Sequence, residues 1–268
     1  EGTEEDLRAT EIAQPALLTH SVAVLRCLQQ RGIQPAAVAG HSLGEYSALV
    51  AAGALKFEDA LHLVRTRGLL MAQAGRLRPG AMAAVLGMEN NRVAGLCKEV
   101  SQNLGGDEVV VPANFNAPGQ VVISGTAAAV KRASERLKAE GASRVIPLAV
   151  SGAFHSPLMH EAACRMADEL AKVPFEEAAL PVVANISARL VRTAEEIRPA
   201  LAAQVEGSVR WEESLRTLSE MGVTHFLELG PGKVLSGLVR KTLLGAKALS
   251  IGDPAGLDAL GGFLEQGA

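Results

Sequence analysis

Pro35-Ala36-Ala37-Val38-Ala39-Gly40-His41-Ser42-Leu43-Gly44 changes character within a few residues. Its first part is small and apolar and reads as a short buried strand. From Gly44 to about Ala52 the pattern is helical. Between the two, Gly40-His41-Ser42-Leu43-Gly44 fits G-x-S-x-G in the strand–turn–helix setting that motif requires. The logic is steric. A sharp strand-to-helix turn holds the serine in a strained conformation and pushes its hydroxyl out of the sheet, and glycines leave room for the chain to double back. The helix start points free N–H groups and a partial positive charge at the site, which makes the Leu43 N–H a natural oxyanion donor. Chance matches to G-x-S-x-G are common in an Ala/Gly-rich chain. The flanking strand and helix favour a nucleophile over an ordinary serine in a glycine-flanked turn.

Working outward, Thr10 to Arg31 is helical in pattern, with Ile12, Leu17, Val24 and Leu28 near helical spacing, and Asp59 to Ala74 is a second helix carrying Arg65 and Arg67. After Gly75 the texture changes. Strands are expected at 81–87, 109–113, 121–125 and 144–148, with helices at 91–102 and 126–140. This strand–helix–strand–strand–helix–strand order is the ferredoxin-like pattern, which places a subdomain at residues 77–147 between core segments 1–76 and 148–268. Late in the chain, Pro181–Asn185 and His225–Leu229 read as short strands. The second runs through Gly230-Pro231-Gly232 into a helix with Val234, Leu235 and Leu238. Glu1 to Asp6 read as the start of a helix.

The 268 residues are nearly half hydrophobic, with one Trp, one Tyr and six Phe. The core is therefore mainly Ala, Val and Leu, as in helix-covered parallel sheets. A formal net charge of −3 gives no sign of nucleic-acid binding. Cys27, Cys97 and Cys164 are odd in number and far apart, which favours reduced thiols over a disulfide framework. No apolar run reaches transmembrane length. A cytoplasmic enzyme is the expectation.

A serine nucleophile needs a base, and six histidines are available. His41 adjoins the serine, and its side chain should point elsewhere. His20 and His62 lie on expected helices and read as exposed or capped. His225 opens a buried strand. His155 sits in the loop Ser151-Gly152-Ala153-Phe154-His155-Ser156-Pro157, where a rigid scaffold commonly holds a base. Composition gives it a modest lead over His160 and His225.

Gly40-His41-Ser42-Leu43-Gly44-Glu45 resembles the G-H-S-L-G-E motif of malonyl-CoA:acyl carrier protein transacylases and of the acyltransferase domains of fatty acid and polyketide synthases. Glu11 to Ala16 resembles their Q-P helix. Arg67-Gly68 resembles their arginine, Asn114 to Gln120 their N-x-N-x-P-x-Q loop, Gly152 to Ser156 their histidine loop and Gly230-Pro231-Gly232 their late turn. The matches fall in family order over nearly the whole chain. The resemblance implies an α/β fold: an α/β-hydrolase-like core with a parallel sheet and an inserted ferredoxin-like α+β subdomain. It implies Ser42 as nucleophile, with His155 as its base, oriented by a backbone carbonyl near Ser208-Val209-Arg210-Trp211, where the family has P-V-x-W. Arg67 would pair the malonyl carboxylate through its guanidinium fork. Asn114, Asn116 and Gln120 would bind substrate or brace the site, and Phe154 would crowd an α-methyl, favouring malonyl over methylmalonyl.

The family's opening strand and G-Q-G-S/A-Q loop, which supplies an oxyanion donor, have no counterpart in these residues. The chain as given is expected to lack one central strand and that donor. The expected reaction is ping-pong transfer of malonyl from malonyl-CoA to the phosphopantetheine thiol of acyl carrier protein, by a monomer, without metal or other cofactor. Arg132, Arg136, Arg144 and Arg189 are candidate docking residues for that acidic partner. Two rivals are a serine thioesterase or esterase with Ser…Asp/Glu…His order, and a truncated, non-catalytic acyltransferase.

Overall fold

The computed structural model of the protein describes Thr3, Leu7 and residues 9–265. The helix start expected at Glu1–Asp6 lies, Thr3 apart, outside the described residues. Helix α1 (Thr10–Gln30) buries Gln14, Leu18, Val22 and Leu25 along one stripe. Strand β1 (Val38–Ala39) leads through the serine turn into α2 (Gly44–Ala51), and α3 (Phe57–Leu77) follows. Buried positions on α3 include Ala60, Leu63, Val64, Arg67, Met71 and Ala74, so Arg67 lies on the apolar stripe itself. α1 and α3 pack closely because Gly68 has no side chain: a Cβ there would come 2.8 Å from Glu11 Cα.

Strands β2 (Gly80–Leu86), β3 (Val110–Ala117), β4 (Gln120–Thr126) and β5 (Arg144–Pro147) form an antiparallel sheet in the order β3-β4-β2-β5. With α4 (Asn90–Leu104) and α5 (Ala127–Ala139) on one face, this is the ferredoxin-like arrangement. β4 is buried on both faces from Val121 to Gly125, with successive side chains pointing to opposite sides. Val121 and Ile123 pack under the helices, while Val122 faces the other way, onto Met82, Ala113 and Phe154. The second face of this sheet therefore rests on the histidine loop.

The stretch expected to be a loop from Asn114 to Gln120 is mostly strand. Asn114 and Asn116 belong to β3 and Gln120 to β4, leaving Pro118-Gly119 as the turn. Pairing explains this: Phe115 N–H donates to the Val209 carbonyl and Val209 N–H to the Ala113 carbonyl, so β3 is held from both sides.

A single-turn 3-10 segment (Pro157–Met159) leads into α6 (His160–Lys172). Strands β6 (Val182–Val183) and β7 (Leu190–Val191), helices α7 (Ala194–Gln204) and α8 (Trp211–Glu220), strand β8 (His225–Leu229), helix α9 (Val234–Thr242), strand β9 (Lys247–Ile251), and helices α10 (Pro254–Asp258) and α11 (Leu260–Glu265) complete the chain. The core sheet is not one continuous parallel sheet. β1 pairs parallel with β6, and β7 joins antiparallel. β8 and β9 form a separate parallel pair. β1 and β6 are shorter than the apolar runs Pro35–Gly40 and Pro181–Asn185, and the Val38 N–H carries the pairing one bond further, to the Pro181 carbonyl. Among the described residues no helix is long and apolar enough to cross a membrane.

Candidate active site

The turn after β1 behaves as its glycine spacing suggested, with one change. Ser42 adopts φ 52°, the left-handed region that costs a non-glycine residue energy. A Cβ on Gly40 would overlap the Gly44 carbonyl, so Gly40 must be glycine, whereas a Cβ on Gly44 would meet nothing. Only one of the two motif glycines is required sterically. The Leu43 N–H, just ahead of α2, donates to no other backbone group among the described residues.

Ser42 Oγ lies 2.8 Å from His155 Nε2. His155 is buried and, like Ser42, has positive φ, 56°. Its Nδ1 lies 2.8 Å from the backbone carbonyl of Gln204, the last residue of α7. A carbonyl only accepts, so Nδ1 carries the hydrogen and Nε2 presents a lone pair to the serine hydroxyl. The orienting group is thus a neutral carbonyl four residues ahead of Ser208. It belongs to the unpaired last turn of a helix, whose negative pole favours an imidazolium as it forms. Burial, reinforced by the positive charge of Arg67, pushes the imidazole down to about 3, so the ring is neutral in the resting site.

Arg67 is 1% exposed. Its terminal nitrogens donate to Gln14 Oε1 (2.7 Å), Gln204 Oε1 (2.8 Å) and Ser42 Oγ (3.1 Å), while Nε has no partner. Burial lowers its pKa, opposed by Tyr46 and Glu45. A cation with unspent donors beside the nucleophile is a carboxylate-binding arrangement.

The other expected residues divide. Asn116 Oδ1 lies 2.8 Å from His41 Nε2, and His41 stacks edge-on against Trp211, so the His41 ring does turn away from the serine. Asn114 is buried on β3 without a hydrogen bond to Ser42, His155 or Arg67. Gln120 accepts from Lys241 at the β3–β4 turn and is bonded to none of those three either. Phe154, next to His155 in the chain, is partly buried against the main core and against Met82, Ala113 and Val122. His225 bonds Thr224, and His160 bonds Glu206. His20 is half-buried with an unpartnered Nδ1, contrary to the exposed or capped histidine expected there. Arg132 and Arg136 are engaged by Glu135 and Glu140.

Three residues at the site escaped the sequence reading as site residues. The Asn185 side chain spans the turn, donating to the Gly40 carbonyl (2.7 Å) and accepting from Ser42 N–H (2.6 Å). Gln204 Nε2 donates to the Ser42 carbonyl (2.9 Å) and to Glu45 Oε2 (2.7 Å). Glu45, 2% exposed, is raised to about 7 by burial, against its bonds to Gln204 and Asn185 and the charge of Arg67.

A sequence profile described as the acyl transferase domain matches residues 1–254. The chain belongs to that family. Among fellow acyl transferases it is 48% identical over 254 residues to the malonyl CoA-acyl carrier protein transacylase of Bacillus subtilis, covering 95% of this chain and 79% of that protein. It is 44% identical over 260 residues to the Escherichia coli K12 transacylase of the same name, covering 97% and 83%. Among solved structures, a malonyl-transacylase in complex with a type II polyketide synthase acyl-carrier protein superposes with TM-score 0.92 at 44% identity, covering 97% of this chain and 83% of that one. The malonyl-CoA:acyl carrier protein transacylase of Xanthomonas oryzae gives TM-score 0.92 at 45% identity, covering 97% and 82%. These likenesses agree with the α/β-hydrolase-like core and ferredoxin-like subdomain.

Proposed function

We propose that this acyl transferase moves a malonyl group from malonyl-CoA to the phosphopantetheine thiol of an acyl carrier protein through an ester on Ser42. The observation that carries the reading is the meeting of two groups at the Ser42 oxygen. Ser42 Oγ is 2.8 Å from the His155 base and 3.1 Å from the Arg67 guanidinium. Hydrolysis needs only the base. The cation adds a partner for a carboxylate one methylene from the reacting carbonyl. The names of the transacylase relatives support the substrate and the carrier protein.

In the first half-reaction the Ser42 oxygen attacks the thioester carbon while its proton passes to His155 Nε2. The carbon–sulfur bond breaks, and coenzyme A leaves as the thiol with that proton. The Leu43 N–H faces the developing oxyanion. In the second, His155 takes the proton of the carrier's thiol as sulfur attacks the ester, then returns it to Ser42. Bonds and protons balance with these groups. Phe154, which precedes His155 in the chain, would crowd an α-methyl on the acyl group.

Intact-mass analysis after incubation with malonyl-CoA or acetyl-CoA tests this. A malonyl adduct is expected, lost in Ser42→Ala and absent with acetyl-CoA. In Arg67→Ala the malonyl preference disappears; its survival overturns the role given to Arg67. Malonate released faster than it reaches a pantetheine thiol would replace transfer with thioester hydrolysis, and no adduct on Ser42 would overturn both.

A further inference from the structure

Glu45 stands behind the reacting groups and touches none of them directly. Its Oε2 accepts from the Asn185 backbone N–H (3.1 Å) and from Gln204 Nε2 (2.7 Å). Asn185 pins both flanks of the serine turn, at Gly40 and Ser42. Gln204 spends its other amide hydrogen on the Ser42 carbonyl, which commits its Oε1 to Arg67, and its own carbonyl orients His155. The hold on the nucleophile and the hold on the base and cation therefore meet at one carboxylate oxygen.

The electrostatics of the same cluster are unusual. A buried cation is ordinarily paired with an anion. Among the described residues no carboxylate forms an ion pair with Arg67; the buried acid whose charge reaches it is Glu45, across the Gln204 amide. A substrate carboxylate on Arg67 brings a second anion to one guanidinium, and like charges sharing a cation push one another toward protonation.

We propose that Glu45 is a positioning residue that balances Arg67 in the empty site and takes up a proton when a substrate carboxylate pairs with Arg67. This rests on the malonyl reading above. Both accepted bonds fall on Oε2, so Oε1 can carry the proton without releasing Asn185 or Gln204. Burial already holds this carboxyl at about 7, so modest added repulsion moves it across neutral pH. The charged or titratable groups facing it are Arg67 on α3 and the neighbouring Tyr46, whose phenol burial keeps protonated. Gln204 on α7, Asn185 after β6 and Gln14, which α1 brings to Arg67, are neutral.

Calorimetric titration of malonyl-CoA into Ser42→Ala, in buffers of different ionisation enthalpy, counts the protons taken up. Between pH 7 and 8, uptake is expected to exceed that caused by coenzyme A alone. For a coupling of one pKa unit, Kd rises about tenfold from pH 6 to 9 as Glu45 ionises. In Ser42→Ala/Glu45→Gln, whose amide oxygen can accept the same two bonds, both the excess uptake and the slope vanish. If that variant does not fold, the pH of greatest uptake decides: above 7 for Glu45, in acid for His155, which burial holds at about 3. Uptake unchanged by Glu45→Gln, or greatest below pH 6, overturns the proposal. Binding without excess uptake sinks this inference alone, whereas no binding of malonyl-CoA sinks the malonyl reading with it.

Discussion

Asn185→Ala disconnects both ends of the serine turn with one side chain. Ser42 is held at φ 52°, a conformation that costs about 1–3 kcal/mol and persists only where the surroundings enforce it. The Asn185 amide does so through two short bonds, 2.7 Å to the Gly40 carbonyl and 2.6 Å from the Ser42 N–H. Truncation leaves the buried Gly40 carbonyl and the part-buried Ser42 N–H unpaired, at up to about 1–3 kcal/mol each. Water admitted to the vacated space recovers part of that, so a net loss of about 2–4 kcal/mol is expected. Urea denaturation should show the midpoint falling at constant slope. The rate should fall further than stability explains, because an unpinned turn lets Ser42 Oγ drift from His155, and about 1 Å of misplacement costs about 10²-fold. Rapid-quench mass analysis of acyl-Ser42 formation, under conditions where the variant stays folded, reads this directly. Asn185→Asp keeps the acceptor for Ser42 N–H but turns a second acceptor on the buried Gly40 carbonyl, and should be impaired at least as much as Asn185→Ala at neutral pH. An Asn185→Ala enzyme that acylates at the parent rate would show that Gly40 and α2 hold the turn unaided, refuting the clamp.

Gly68→Ala should put a Cβ against Glu11 Cα, pushing α1 off α3 and carrying Gln14 away from Arg67. Malonyl KM should rise while acylation of Ser42 at saturation falls less, measurable by steady-state transfer. Gly40→Ala places a methyl inside the Gly44 carbonyl, and overpacking of at least about 1–3 kcal/mol should abolish the Ser42 adduct. Gly44→Ala, at an open position, should keep the adduct. Stability against pH should show two opposed contributions. His155, at about 3 when folded, loses stability as pH falls from about 6.5, up to about 5 kcal/mol by pH 3. Glu45, at about 7 when folded, gains stability as pH falls from about 7 to 4.5, up to about 3 kcal/mol. Wild type should therefore change little between pH 6.5 and 4.5, while Glu45→Gln should weaken steadily; parallel urea midpoints for the two would contradict the buried carboxylate.

Sequence reading succeeded where the determining pattern was local. The serine turn follows from Gly40 between an apolar run and a helix, and the ferredoxin-like unit from the order of short strand runs and helical patterns between Gly80 and Pro147. Arg67 was open to detection as well, since it falls in step with Leu63, Val64 and Met71 on the buried stripe of α3. The residues that escaped notice are bound by distant partners. Gln204 ends an Ala-rich helix, and nothing nearby announces that Ser42, Glu45, Arg67 and His155 converge on it. Asn185 looked like the end of a strand, yet its role depends on Gly40 and Ser42. β7 and β9 went unrecognised because one is two residues long and the other mixes Lys, Ser and apolar residues. The Asn114–Gln120 segment read as a loop because Asn, Pro and Gly favour turns, but the backbone of Val209 supplied pairing that local propensity could not register.

Gly75 and Gly152 touch backbone to backbone, with Gly152 Cα 3.1 Å from where a Cβ on Gly75 would sit. The helix bearing Arg67 is thereby butted against the loop bearing His155, about 12 Å of rigid rise further along α3. That contact ties the helix carrying Arg67 to the loop carrying His155, and Ser42 Oγ is bonded to both side chains. Bulk added at either glycine would therefore be felt at Arg67 and at His155 together, not at one of them alone.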